Sequence, residues 1–519
     1  MLDTAPETVS GKFVLVAGRK PTVLFYAAGV AHTGVREWLP SAEMLKTKGY
    51  DSVFIVDEHC PERWTEKCLH SGARCRIGLR EVAQAGEARK GIPAPVQSVG
   101  IARRVLRILY RRLGFVRWLE TWVHLKQHCT FAAELLARER PVAIMLYTDS
   151  FSLQASALVK AANEAHIPTV VCPLAGGFPK GSVALRRDAP DFVNVFSLKP
   201  LRNRVMARLF PNWVVDFYGE RMLYRPVRES LVATMLGILP RRPWSRVGGN
   251  ATYVTVMSDK ERHVLLEEDV PTHKLVVTGR PLFDALQQHL LEGLRCRTRI
   301  LRELGADANK TIILISMPWR SHHPASRTWG YQMWPWDVQW REYEFLLEAC
   351  ARLPDVEVVL SFHPGAPAKE FSPLAEKHGA RIAWQQEIVE LVASCDIFVA
   401  EASATLQLAI GARKPALLLY YYDEYDRSFR SARYDHAVTS VYSDSGVLVV
   451  WKREELSSLL QRLVSDKTFY ERLAQAQERA ARHWVTLDGN CTARLVHQLL
   501  SAIENGTNGT MERSSHQTS

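Results

Sequence analysis

Residues 22–56 read TVLFYAAGVAHTGVREWLPSAEMLKTKGYDSVFIV, and their order decides the fold. Thr22 to Ala28 is an unbroken apolar run of strand length. A loop with two glycines follows, then a helical pattern from Trp38 to Lys48, then a second apolar run from Ser52 to Val56. A strand covered on one face alternates polar and apolar residues, whereas one covered on both faces is apolar throughout. Two such runs joined by a helix predict a parallel pair with the helix packed across it.

The pattern repeats outward from this unit. Val142–Tyr147 and Thr169–Cys172 read as buried strands around a helix over Leu153–Ala165. Tyr253–Met257, Leu275–Thr278, Ile312–Ile315, Val356–Leu360, Ile397–Ala400 and Ala416–Leu419 continue the series. The class is therefore α/β, and two Rossmann-like doubly wound domains facing a cleft fit the count better than one large sheet. The expected division is a first domain over 12–285 and a second over 286–485. A helix over 486–504 would cross back to the first domain, and 505–519 would be a disordered polar tail. Two stretches, Cys60–Ser98 and Arg186–Gly249, lack strand alternation and read as insertions.

Composition narrows the function classes. Apolar residues make up 47% and charged residues 23% of the 519, which excludes a disordered or fibrous chain. Lys and Arg number 66 against 55 Asp and Glu, a net charge of +11, which favours anionic partners. No recognisable nucleic-acid motif accompanies the charge, so no nucleic-acid partner is expected. Nine cysteines, an odd number, are too sparse for a disulfide framework. The opening residues carry no secretory pattern and no long apolar run is present, so the expected location is cytoplasmic.

Open α/β sheets bind ligands beyond the carboxyl ends of their strands, so each strand-to-helix turn is a candidate site. The first turn holds Gly29, His32 and Gly34; a neutral imidazole there could deprotonate a hydroxyl nucleophile, or simply pack. Asp149, in Thr148-Asp149-Ser150, could be a base, a partner for His32, or a helix cap. Gly176 and Gly177 lie in a lysine-containing turn suited to an acceptor or a phosphate. In the second half, Gly279-Arg280-Pro281, Phe362-His363-Pro364-Gly365 and Ala400-Glu-Ala-Ser403-Ala-Thr405 follow successive strands. Small hydroxyl residues opening a helix suit an anion such as a diphosphate, with His363 one strand away.

The order of these motifs resembles the superfamily of GT-B glycosyltransferases and non-hydrolysing UDP-N-acetylglucosamine 2-epimerases. In look it is closest to bacterial capsule and surface-polysaccharide transferases. The carrying stretches are residues 22–56, IPTVVCPLAGG, VTVMSDKERHVLLEEDVPTHKLVVTGRPLFDAL, VVLSFHPG and DIFVAEASATLQLAIGARKPALLL. The resemblance implies GT-B architecture, with the second domain holding a nucleotide-sugar donor and the first holding a glycan or lipid-linked acceptor. His363-Pro364 looks like the histidine-proline motif that contacts donor phosphate in such transferases, and Ser403 and Thr405 match their phosphate-holding hydroxyls. Arg280 would join them at the leaving phosphate. Trp384 and Gln386 fall where the base is read, and Gln407 or Leu408 where relatives often carry a ribose-binding glutamate. His32 lies near the position of the catalytic base, with Asp149 as its possible orienter. Gly29, Gly34, Gly176 and Gly177 would line the acceptor region. No cofactor or catalytic metal is implied. The epimerase branch carries a carboxylate where this chain has Leu174, and an Asp-Ser-Gly-Gly loop where it has Glu401-Ala-Ser-Ala. Epimerisation needs paired acid and base groups, so transfer is the favoured reading; epimerisation and a catalytically inactive binding protein are the alternatives.

Two further features bear on partners. Ile101–Lys126 reads as an amphipathic helix with Arg103, Arg104, Arg107 and Arg111 on one side and Trp118 and Trp122 in its sequence, which suits an anionic inner-membrane face or an ordinary domain helix. Arg202, Arg204, Arg208, Arg225 and Arg228 could extend the basic face. His59, Cys60, Cys68, His70 and Cys75 cluster in sequence, but their spacing matches no standard zinc module.

Overall fold

A computed structural model describes residues 20–57, 60, 62–78, 114–174, 183, 186–187, 191–217, 219–245, 247–317, 336–362, 368–401, 403–421, 442 and 444–516. The first half runs β1 (Thr22–Tyr26), α1 (Ala31–Thr47), β2 (Asp51–Val56), α2 (Glu62–Ser71), β3 (Arg74–Ile77), α3 (Gly114–Glu139), β4 (Pro141–Leu146), α4 (Leu153–Glu164) and β5 (Thr169–Val171). Then come α5 (Phe192–Val195), α6 (Leu201–Leu209), the hairpin β6 (Val214–Phe217) and β7 (Glu220–Leu223), α7 (Val227–Met235), β8 (Tyr253–Val256), α8 (Asp259–Glu267) and β9 (Leu275–Val277). Seven of these strands form one parallel sheet in the order β3-β2-β1-β4-β5-β8-β9.

The second half runs α9 (Pro281–Glu292), α10 (Leu294–Leu304), β10 (Thr311–Met317), α11 (Trp336–Ala351), β11 (Val356–Phe362), α12 (Ala368–Lys377), β12 (Arg381–Ala383), α13 (Ile388–Ser394), β13 (Ile397–Ala400), α14 (Leu406–Gly411) and β14 (Ala416–Leu419). It ends with β15 (Leu448–Val450), α15 (Glu455–Ser465), α16 (Lys467–Trp484) and α17 (Cys491–His516). Its six strands are parallel in the order β12-β11-β10-β13-β14-β15. In both sheets the chain starts in the middle, winds outward, then returns to the other side of the first strand. Two doubly wound Rossmann-like sheets result, as expected.

Burial explains why the apolar runs carry no alternation. Val23, Leu24, Phe25 and Tyr26 of β1 are all buried: Val23 and Phe25 face the layer of α1, Leu24 and Tyr26 the layer of α3 and α4. Helix α1 lies unusually close to β1, because a side-chain carbon on Gly34 would stand 2.8 Å from the Cβ of Ala27.

The structure amends several expectations. The chain leaves the first sheet at Val277, and Leu282, Phe283 and Leu286 of α9 already belong to the second domain's core, so the border drawn at 285 falls inside a helix. The crossing helix is present: Leu495, Val496, Leu499 and Ala502 of α17 pack with Val23, Phe25 and Trp38 of the first domain. It continues to His516, so the backbone is helical through most of the segment expected to be disordered. Residues 62–78 supply α2 and the edge strand β3 rather than a pure insertion. The Arg186–Gly249 stretch contains the unforeseen hairpin β6–β7 with small apolar clusters of its own. Trp118 and Trp122 of α3 stack 5.4 Å apart against the first core, so this part of the amphipathic pattern is a domain helix. Arg103, Arg104, Arg107 and Arg111 lie outside the described residues. Among the described residues no helix is long and apolar enough to cross a membrane.

Candidate functional site

A doubly wound sheet opens a crevice where its strand order reverses, beyond the strands' carboxyl ends. In the second sheet that point lies between β10 and β13, where Ser316 pairs with Ala400. The chain places three hydroxyls there. Ser403 and Thr405 stand 2.7 Å apart, and Thr405 donates to Ser316 at 3.3 Å. The backbone N–H of Thr405 donates to Ser403 Oγ at 3.2 Å, which fixes the turn. All three residues remain partly exposed. Helix α14, which follows, spans only six residues, so the hydroxyls rather than a helix terminus carry the polarity of this edge. Behind them Glu401 is buried and accepts a hydrogen bond from Tyr343 at 2.8 Å. His363, the residue after β11, lies outside the described residues.

In the first sheet the reversal lies between β1 and β4. Gly29 follows β1, and its N–H donates to Asp57 Oδ2 at the end of β2, 2.9 Å away. His32 stands in the first turn of α1 rather than in the loop; its side chain, and Gly176 and Gly177, lie outside the described residues. The turn after β4 is a buried polar knot. Asp149 accepts from the N–H of Ala251 at 3.0 Å and from Ser150 Oγ at 3.0 Å, and its carbonyl accepts from Ser156 Oγ. Ser152, not Asp149, caps α4. The Asp149 carboxylate fastens the β4 turn to the segment entering β8.

The Gly279-Arg280-Pro281 turn lies between the domains. Arg280 is 4% exposed. Its Nε donates to Glu37 of α1 at 3.0 Å, its Nη2 donates to the other oxygen of the same carboxylate, and its Nη1 reaches Gln407 of α14 at 3.5 Å. Burial works against the guanidinium charge, and Glu37 more than offsets this, so its pKa is raised. Arg280 thus joins α1 of the first domain to Gln407 of the second. Beside them, Arg36 of α1 lies 3.8 Å and Lys67 of α2 lies 3.7 Å from Glu387, the residue that caps α13. Burial lowers the Arg36 pKa, opposed by Glu37 and Glu387.

Trp384 and Gln386 follow β12 at the sheet's edge. Trp384 is 53% exposed, and Gln386 donates to Glu303 at 3.4 Å. Trp340, on α11, stacks on Phe371 at 5.2 Å, as part of the core's edge.

Three described groups bring metal-ligating atoms within 4.8 Å of one another: His289, Glu292 and Cys296; Asp284, Asp488 and Cys491; Glu344, Glu348 and His378. None includes a residue at either crevice. The second group has other work, since Asp284 caps α17 through the N–H groups of Cys491 and Thr492 and Asp488 pairs with Arg494. The third is crossed by Lys377, which donates to Glu344. The thiols of Cys68 and Cys75 share a hydrogen bond that raises the first and lowers the second, while burial pushes Cys60 up to about 12.

No family model and no curated protein matches the chain. Solved structures do. The UDP-GlcNAc 2-epimerase of Neisseria meningitidis, bound to UDP-GlcNAc, covers 92% of this chain with all of its own, at 14% identity and a TM-score of 0.51. A glycosyltransferase of kitacinnamycin covers 93% of this chain with 99% of its own, at 14% identity and a TM-score of 0.50. The fold is GT-B. At this identity the likeness is one of architecture.

Sequence reading missed Ser316, Glu37, Arg36 and Glu387. Three had a visible signal. Ser316 follows the apolar run Ile312–Ile315, and Arg36-Glu37 is a charged pair just ahead of the helical pattern that begins at Trp38.

Proposed function

We propose that this GT-B chain binds a nucleotide-activated sugar, or sugar-like group, at the crevice of its second sheet and transfers it to an acceptor held by the first. The observation that carries this reading is the hydroxyl trio Ser316, Ser403 and Thr405 at the reversal between β10 and β13. Clustered neutral donors suit phosphate oxygens, and donors aimed at a leaving diphosphate stabilise the charge it gains as its bond to the sugar breaks. The acceptor hydroxyl would form the new bond to the anomeric carbon and surrender its proton to a base, for which His32 in the first turn of α1 is the candidate. His363 would add a donor from the neighbouring strand end. The acceptor would be a surface glycan or a lipid-linked precursor, with the enzyme working at the cytoplasmic side.

A thermal-shift series with UDP, CMP, CDP, GDP, ADP and their sugar conjugates tests the donor site, since a ligand bound to the native state alone raises Tm. One nucleotide class should raise it, and Ser403→Ala/Thr405→Ala should abolish the rise. A rise unchanged in that variant would place the nucleotide elsewhere. Product formed without any acceptor would replace transfer by epimerisation.

A further inference from the structure

Helix α6 is built inside out. Counting about 100° per residue, Leu201, Val205 and Leu209 fall within about 80° of the helix circumference, and Asn203 and Ala207 fall on the opposite side. The polar side faces inward: Asn203 is fully buried and donates to the carbonyls of Val195 and Ser197. The apolar side faces out, with Leu201 69%, Val205 45% and Leu209 65% exposed. Arg204 and Arg208 flank the ridge on one side and Arg202 on the other, by the same angular count of about 100° per residue. All three arginines are exposed, and Arg204 and Arg208 make no ion pair among the described residues. From Phe192 to Trp213 the chain holds Lys199 and these three arginines and no carboxylate.

The ridge is not loosely attached. The N–H of Leu223 donates to Phe196 and that of Tyr224 to Trp213, which ties both flanks of α6 to β7. Arg225, the next residue, is buried and donates to the carbonyls of Ser150 and Phe151 beyond β4. The insertion is therefore fastened at the carboxyl edge of the first sheet, the side on which that sheet's crevice opens.

We infer that α6 is a docking ridge for an anionic lipid surface. Leu201, Val205 and Leu209 enter the boundary between headgroups and acyl chains while Lys199, Arg202, Arg204 and Arg208 meet lipid phosphates. Outward leucines framed by exposed cations suit a bilayer interface, where apolar burial and electrostatic attraction act on one helix face. Such docking would bring the first domain's crevice to a lipid-linked acceptor. The inference rests on the transfer reading only for that consequence.

Flotation of the full chain with phosphatidylcholine vesicles, with and without phosphatidylglycerol, tests it. The chain should float with the anionic vesicles, be released by high salt, and bind pure phosphatidylcholine weakly. Arg204→Glu/Arg208→Glu should weaken anionic binding on the order of thirty-fold. Leu201→Ser/Leu209→Ser should weaken it by about ten-fold or more. These positions are exposed, so an unchanged Tm checks the fold of each variant. Failure of the wild type to bind anionic vesicles would overturn the inference and leave the ridge to a protein partner. So would variants that bind as the wild type does. The assay contains no nucleotide, so its result is separate from that of the donor-binding test.

Discussion

The pair Arg280–Glu37 shows how one residue's surroundings decide its role. A buried guanidinium gripped by a buried carboxylate is strongly held only while both partners remain, because a lone buried charge has no compensation. Arg280→Met should therefore lower stability by about 3–5 kcal/mol, while Arg280→Met/Glu37→Leu should recover most of the loss. Urea midpoints of the two variants check this, and equal midpoints would show that the charge pairing is irrelevant. His128, on α3, offers a pH signature. Burial, with His124 in edge contact at 4.6 Å, pulls its pKa down to about 4. The folded chain keeps this imidazole neutral, whereas the unfolded chain protonates it near the ordinary value of 6.5. Its contribution is thus complete above pH 6.5, is lost progressively as pH falls toward 4, and changes no further below that. Between pH 6.5 and 5 the loss is on the order of 2 kcal/mol. Relative to wild type, His128→Leu should melt with a flatter pH profile over that window; parallel profiles would rule out a neutral buried histidine.

At the scale of elements, the close approach of α1 to β1 is directly testable. Gly34→Ala puts a methyl group 2.8 Å from the Cβ of Ala27, so α1 must move away from β1. Overpacking of this kind costs about 1–3 kcal/mol, and here it would also shift Arg36 and Glu37 against the second domain. Ala27→Gly/Gly34→Ala moves the methyl from strand to helix and should restore much of the Tm; a double variant no better than the single one would mean that backbone strain, not the clash, is at fault. The same packing explains what could be read from the sequence. All ten expected strands are present because strands buried on both faces are apolar over most of their length, as in VLFY of β1 and IILI of β10. The strands β3, β12 and β15 escaped because they are three or four residues long and only partly buried, as in Arg74-Cys-Arg-Ile77. At the site, motifs at strand ends located both crevices, but side-chain pairing across the domains was invisible. Glu37 and Arg280 are 243 residues apart, and nothing local marks either as the other's partner.

For the molecule as a whole, the question is what makes two Rossmann-like units one body. Three ties converge on residues 278–280. Arg280 reaches Glu37 in one domain and Gln407 in the other. Gly279 has a φ of +78°, and any side chain there would strike Cys491 Sγ at 2.3 Å. Arg494 donates to the carbonyl of Thr278 at 2.9 Å, while Asp284 caps the start of α17. From this braced turn α17 returns to the first domain and buries Leu495, Val496, Leu499 and Ala502 in its core. The last helix of the chain is therefore a structural part of the first domain. Leu499→Ala should destabilise that domain by about 2–5 kcal/mol through the cavity it leaves, without touching the second domain's sheet. Hydrogen exchange resolved by segment reads the difference. Protection should fall in β1, β4 and β5, which neighbour the helix, and stay unchanged in β10, β11 and β13. Equal loss in both sheets would mean that the domains unfold as a single unit and that the braced turn transmits the damage; loss in neither would mean that α17 rests on the first domain without supporting it.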